Sequence, residues 1–238
     1  MGFPRFYHPE PISLHHNIKL SESAARHAGL VLRLAVGDEI ILFNGDGFDC
    51  QAKLIEVTRK AVIVLIQSKI AVNSESPLKL HLVQAIVKPD KMDWVMQKAV
   101  ELGVNEITPV ITKYCAVKIT DKKSDHWQGI VTSACEQSGR STMPKLNKIT
   151  VFESFLDKTK INSGLIFHPE AELKFSELNM SYKEAVLFIG PEGGFHQDEV
   201  KLAENNGFLS VRLGSRILRT ETAATAALSV MQSRWGDF

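Results

Sequence analysis

The segment LGSRILRTETAATAAL, Leu213 to Leu228, sets two guanidinium groups, Arg216 and Arg219, directly before Thr220-Glu221-Thr222. Together with Arg212 this makes three cations in eight residues. A guanidinium can stabilise an anion as its charge develops or hold a phosphate, and a neighbouring carboxylate can accept a proton. A second group stands upstream, where Gly190-Pro191-Glu192-Gly193-Gly194 follows the apolar run Ala185 to Ile189. This loop is neither GxGxxG nor a loop ending in GK[ST], and Glu192 would repel a phosphate. It suits a ligand without phosphates, one that carries positive charge. The plain structural alternative is a tight turn whose glycines supply positive φ. A third group is Glu136-Gln137-Ser138-Gly139-Arg140-Ser141, at a helix end. There Gly139 can close the helix and leave Arg140 free to reach outwards. Lys88 and Lys91 bracket another helix start. Taken singly, each of these cations reads as surface charge rather than as a site.

These groups need a scaffold. Both glycine-bearing loops follow strand-like runs, Ala185 to Ile189 and Phe208 to Leu213. In open α/β sheets ligands bind outside the carboxyl ends of strands. The two loops are therefore expected to wall one pocket, with Ile189, Leu213, Ile217 and Leu218 giving apolar contact. From Leu78 onwards, strands and helices alternate. Leu78 to Val87 reads as a strand, Asp90 as the cap of a helix through Leu102, and Ile107 to Thr112 as a strand. His126 to Ser138 reads as a helix, Ile149 to Phe152 and Gly164 to His168 as strands, Gln197 to Asn206 as a helix, and Glu221 to Arg234 as the last helix. That alternation indicates an α/β domain with a mostly parallel sheet.

The first part of the chain reads differently. Ser21 to Leu34 fits a short helix. Glu39 to Phe43 and Phe48 to Val57 read as strands joined by the hairpin signal Asn44-Gly45-Asp46-Gly47, and Arg59-Lys60 turns the chain into Ala61 to Ile66. Short strands with tight turns indicate a small barrel or sandwich. The polar, proline-ended stretch AVNSESP (71–77) is a linker, which divides the chain into 1–72 and 73–238.

Composition removes several function classes. Of the 238 residues 44% are hydrophobic and 23% charged, as in a globular protein. No run approaches a membrane span. The opening MGFPRFYHPEP has no apolar h-region, so no secretory leader is expected and the location expected is cytoplasmic. Cys50, Cys115 and Cys135 are widely spaced and read as reduced thiols, and His15-His16 has no matching ligands, so no metal is expected. A net charge of +1 means that any polyanionic partner must meet a local basic patch.

IGPEGGF at 189–195, followed by LGSRILRTETA at 213–223, is joined by three earlier segments: KPDKMDWVMQKAVELG at 88–103, EQSGRS at 136–141, and Arg33 to Glu39 with its hairpin. In this order the motifs resemble the bacterial 16S ribosomal RNA (uracil-N3)-methyltransferase family of the SPOUT superfamily. The resemblance implies an N-terminal PUA-like β-barrel that helps to hold RNA. It also implies a C-terminal α/β domain tied in a trefoil knot, with S-adenosylmethionine bent within it, and a homodimer acting on 16S rRNA of the small ribosomal subunit. Ile189, Gly190, Pro191, Gly194, Leu213, Gly214, Ile217, Leu218 and Thr222 would then hold the cofactor. Arg219 and Arg140 would stabilise the uracil anion and Glu221 would take the N3 proton, while Arg5, Arg33, Lys88 and Lys91 are candidate RNA phosphate contacts. Two rival readings are a different nucleotide-binding α/β enzyme using the Gly190 loop, and a non-catalytic RNA-binding module. The missing P-loop lysine and Glu192 oppose the first, and the intact motifs oppose the second.

Overall fold

The computed structural model describes residues 2–58, 61–115, 122–158 and 163–238, and forms two compact units. The first comprises residues 1–75 together with 135–143, and the second comprises 76–134 together with 144–238. The expected turn at Arg59-Lys60 lies outside the described residues.

In the first unit five strands form one sheet: β1 (Arg5–Tyr7), β2 (Asn17–Lys19), β3 (Glu39–Phe43), β4 (Phe48–Val57) and β5 (Val62–Ala71), ordered β1-β3-β4-β5-β2. The Asn44 to Gly47 hairpin joins β3 to β4 as its residue types require, with Leu42 opposite Cys50. Alternate residues Ile40, Leu42, Ala52, Leu54, Val62, Val64 and Ile66 turn inwards around Phe6. The helix expected over 21–34 is shorter. Helix α1 covers Glu22–Arg26, with Ser21 accepting from the Ala24 N–H, and then widens into one π-type turn at His27–Val31. Ala24, Ala25 and Ala28 face the core, whereas Leu30 and Val31 are 71% and 66% exposed, so the apolar run has no single buried stripe to hold it helical.

Residues 135–143 complete this unit. The Gly47 N–H donates to the Ser141 carbonyl at 3.0 Å, and the Tyr7 N–H donates to Glu136 Oε1 at 2.9 Å.

The second unit is a parallel sheet with helices. Its strands are β6 (Lys79–Ala85), β7 (Glu106–Ile111), β8 (Lys145–Leu146), β9 (Thr150–Val151), β10 (Gly164–Phe167), β11 (Glu184–Ile189) and β12 (Phe208–Val211). They run in the order β12-β10-β11-β6-β7-β8, with β9 also beside β7. The helices are α2 (Pro89–Glu101), α3 (Lys122–Ser138), α4 (Phe152–Lys158), α5 (Gln197–Asn205) and α6 (Thr220–Trp235). The residue before the first turn of α2 is Lys88 rather than Asp90, because Pro89 occupies the first helical position, where its missing N–H costs nothing. Helix α4 begins at Phe152, the last residue of the strand expected at 149–152. Only Thr150 and Val151 pair with β7 before Phe152, Phe155 and Leu156 turn into the core at helical spacing.

An aromatic cluster fills the space under β11. The Phe188 ring lies tilted 4.5 Å from Phe208 and 4.8 Å from Phe152, and Phe152 lies 5.6 Å from Phe195. Phe195 thus anchors the loop after β11 in the core. The connection from β6 runs to β7 on one side, whereas that from its neighbour β11 runs to β12 on the other. Such a reversal creates a crevice at the carboxyl ends of the strands.

Candidate functional site

Strand β11 delivers Gly190 to that crevice. A Cβ at Gly190 would lie 3.2 Å from the Phe195 ring and 3.3 Å from the Gly194 carbonyl carbon, so the loop closes this tightly only around glycine. The Gly194 N–H donates back to the Pro191 carbonyl at 2.9 Å, completing a turn. The loop then enters α5 through His196, whose Nδ1 accepts from the Asp198 N–H, while Glu199 Oε2 accepts from the His196 N–H at 2.8 Å. The other oxygen of the buried Glu199 accepts from the Lys113 N–H at 2.8 Å, which clamps the loop after β7 alongside. Tyr114 is thereby laid against Gly193, where an added Cβ would meet the tyrosine Cβ at 3.1 Å.

The segment after β12 forms the facing wall. Helix α6 starts at Thr220, whose buried hydroxyl donates to the Gly190 carbonyl at 2.6 Å and accepts from Gln84 Nε2 at 3.2 Å. Leu218 and Ala223 flank that point, and Phe167 to Glu170 come from the end of β10. Together these segments line a cleft of ≈ 560 Å³, within the usual range for small-molecule sites.

Six of the nine residues assigned to a cofactor line this cleft: Ile189, Gly190, Pro191, Gly194, Ile217 and Leu218. Leu213, Gly214 and Thr222 are not in its lining, and Thr222 sits on an exposed side of α6. Sequence reasoning missed Tyr114, the Phe167 to Glu170 turn, Thr220 and Ala223 as lining residues. The turn was available from the rule of strand carboxyl ends, since Gly164 to His168 already read as a strand.

Charge around the cleft is uneven. Its charged lining residues are Glu170, Glu192 and Asp198, with no Lys or Arg among the described residues that line it. Lys91 reaches Glu192 Oε1 at 3.3 Å and Glu221 Oε2 at 3.7 Å. Its charge is shared between two carboxylates rather than presented to a phosphate. Arg219 is exposed at the start of α6, and Lys88 is exposed before α2.

Arg140 does not reach outwards. It is 4% exposed in the first unit, with Nε and Nη2 donating to Glu75 at 2.9 and 2.6 Å. Gly139, at φ 77°, turns the chain so that the next side chain points into the unit. Arg5 is similarly committed, donating twice to Asp49 at 2.5 and 2.9 Å and to Ser141 Oγ at 2.9 Å. Arg33 is exposed, in a left-handed conformation with φ 56°. The three cysteines carry free thiols, and burial pushes Cys135 up to about 11, so it is a poor nucleophile. No group of His, Cys, Asp and Glu able to hold a metal occurs among the described residues.

Comparison with known proteins agrees with this arrangement. Residues 74–232 match the family model of the RNA methyltransferase domain, and residues 20–67 match that of the RNA methyltransferase PUA domain. The chain is 36% identical to the ribosomal RNA small subunit methyltransferase E of Buchnera aphidicola subsp. Schizaphis graminum, over 98% of this chain and 97% of that protein. The corresponding protein of Bacillus subtilis is 32% identical, over 86% and 85% of the two chains. Among solved structures, a Legionella pneumophila methyltransferase with bound S-adenosylmethionine superposes with a TM-score of 0.95 at 42% identity, covering both chains fully. The ribosomal RNA small subunit methyltransferase E of Neisseria gonorrhoeae, bound to the same cofactor, gives 0.93 at 40% identity, again over both full chains. With a cleft at the carboxyl ends of a parallel sheet and these matches over its whole length, the chain belongs to the RNA methyltransferase family.

Proposed function

We propose that this protein transfers a methyl group from S-adenosylmethionine to N3 of a uridine in 16S rRNA of the small ribosomal subunit. The observation that carries the reading is the charge of the cleft: three carboxylates line it, with no Lys or Arg among its described lining residues. Glu192 is paired with Lys91 and Asp198 with Lys113, so the lining presents no lysine or arginine to a phosphate, and its acidic character suits a sulfonium. Gly190, Pro191 and Gly194 would offer backbone groups, and Ile189, Ile217 and Leu218 apolar contact. When bound, the cofactor supplies an electrophilic methyl group.

The remaining work falls to the chain. N3 of uracil carries a proton at neutral pH, so it becomes nucleophilic only as that proton leaves. Arg219, exposed beside the first turn of α6, is suited to stabilise negative charge on the uracil carbonyls, and Glu221 to accept the proton. The target base must be unpaired or turned out of its helix to be reached. Of the four candidate phosphate contacts, Arg33 in the N-terminal unit and Lys88 are exposed and available to RNA. A homodimer in the cytoplasm belongs to this reading. Ile217 at the edge of the cleft is 86% exposed, an apolar side chain that a second copy would cover. A trefoil knot belongs to it as well. What supports the knot is the chain path: β12 lies at the sheet edge beyond β10, yet α6 begins against Gly190 and packs along α2.

Calorimetry with S-adenosylmethionine, followed by methyl transfer to small-subunit particles and to naked RNA with mapping of the modified base, tests the proposal. Micromolar binding and a 3-methyluridine product are expected, and absence of binding refutes it. Arg219→Ala should lower single-turnover rate much more than cofactor affinity.

A further inference from the structure

We propose that Lys91 is a positioning residue for this reaction: it holds the carboxylate of Glu221 and ties it to Glu192 on the loop that lines the cleft. The inference rests on the reading above, in which Glu221 takes the N3 proton.

Lys91 stands in the first turn of α2, just past the carboxyl end of β6. Its ammonium lies 3.3 Å from Glu192 Oε1 and 3.7 Å from Glu221 Oε2. A single cation therefore bridges three separate connections, the starts of α2 and α6 and the loop after β11. The side chains of Lys91 and Glu221 are 21% and 18% exposed, so their attraction is screened less than that of a surface pair. Two carboxylates against one ammonium leave a surplus negative charge beside the cleft.

Glu221 Oε2 is buried and has no hydrogen-bond partner among the described residues. A buried carboxylate oxygen without a donor is costly unless something else offsets it or a ligand completes it. Lys91 offsets it by charge alone, at a separation beyond hydrogen-bond length. That leaves the oxygen's lone pairs open to a proton donor from outside, which is what a proton acceptor requires. Glu192 completes the arrangement, because the ammonium that faces Glu221 also meets this carboxylate of the cleft-lining loop.

A merely structural clamp and a positioning residue separate by experiment. Full-length wild type, Lys91→Met, Lys91→Gln, Lys91→Arg, Glu221→Gln and the Lys91→Met/Glu221→Gln double variant are compared. The measurements are melting temperature, calorimetric binding of S-adenosylmethionine and single-turnover methyl transfer to small-subunit particles. Lys91→Met is expected to lower the rate about tenfold or more while cofactor affinity stays within about threefold. Lys91→Arg should restore most of the rate, and Lys91→Met should add no further loss in the Glu221→Gln background. Should Lys91→Met fail to fold, Lys91→Gln carries the same comparison. Multiplicative losses in the double variant, or loss of cofactor affinity with the rate retained, overturns the inference. Wild type assayed in parallel separates the two levels: no binding and no methylation there overturns the functional reading and the inference with it, whereas normal wild-type turnover matched by Lys91→Met overturns the inference alone.

Discussion

The Thr220 hydroxyl donates to the main-chain carbonyl of Gly190 at 2.6 Å, linking the first residue of α6 to the loop after β11. The same oxygen accepts from Gln84 Nε2 at 3.2 Å, so one buried hydroxyl ties together the carboxyl ends of two adjacent strands and the start of the last helix.

Replacing that hydroxyl is expected to loosen both. Thr220→Val keeps the shape but leaves the Gly190 carbonyl and one Gln84 N–H without this partner, at a cost of about 1–3 kcal/mol. Urea unfolding should register that loss, and calorimetry should show weaker binding of S-adenosylmethionine. Thr220→Ser should behave as wild type in both. Equal stability of the Val and Ser variants would count against the assignment.

A second prediction concerns pH. His81 lies on β6 with Nε2 2.7 Å from Thr108 Oγ1, and burial depresses its pKa to about 4, with the nearby Glu106 carboxylate opposing the shift. In the unfolded chain the imidazole titrates near 6.5. Between those values the unfolded state binds more protons, so stability falls as the pH drops from about 6.5 towards 4. Burial raises Glu106, but hydrogen bonds from Asn147 and Lys145 outweigh it and hold the carboxyl below its ordinary value. That stability too is lost as the pH falls, over a more acidic range. Denaturation between pH 7 and pH 4 should show a loss on the order of 3 kcal/mol attributable to His81. His81→Gln should flatten the slope, and an unchanged slope would refute the account.

The third concerns Arg140, which is buried against Glu75. Arg140→Met leaves the Glu75 carboxylate without its bidentate partner and is expected to cost the N-terminal unit about 3–5 kcal/mol. Glu75→Leu with Arg140→Met removes both charges and should recover a large part. Chemical denaturation of the two variants beside wild type checks this, and a double variant no better than the single would contradict it.

The limits of the sequence are visible in these same residues. The Gly190 loop and the Ile217-Leu218 wall were legible because each follows an apolar run, and strand ends in α/β sheets converge. Tyr114 was not, because nothing in ITPVITKYC marks it. Its place depends on Glu199 accepting from the Lys113 N–H, 86 residues away in sequence. Gly139 permits a left-handed turn that lets Arg140 reach out, but it does not say towards which partner. That partner, Glu75, is 65 residues distant. The over-long first helix and the missed α4 share a cause. Apolar periodicity over so few residues does not distinguish a buried stripe from an exposed one, and tertiary packing decided both.

Residues 135–143 fold with residues 1–75, although the chain between them builds the other unit. In the gene the two units are consequently interleaved rather than consecutive. A single crossover at the 71–77 linker would transplant β1 to β5 without Ser141 for Asp49 and without Arg140 for Glu75. Recombination between relatives is therefore tolerated only when both pieces travel together or when the incoming piece already carries matching partners. Without such matching partners, the N-terminal sheet and the parallel sheet exchange only as one block.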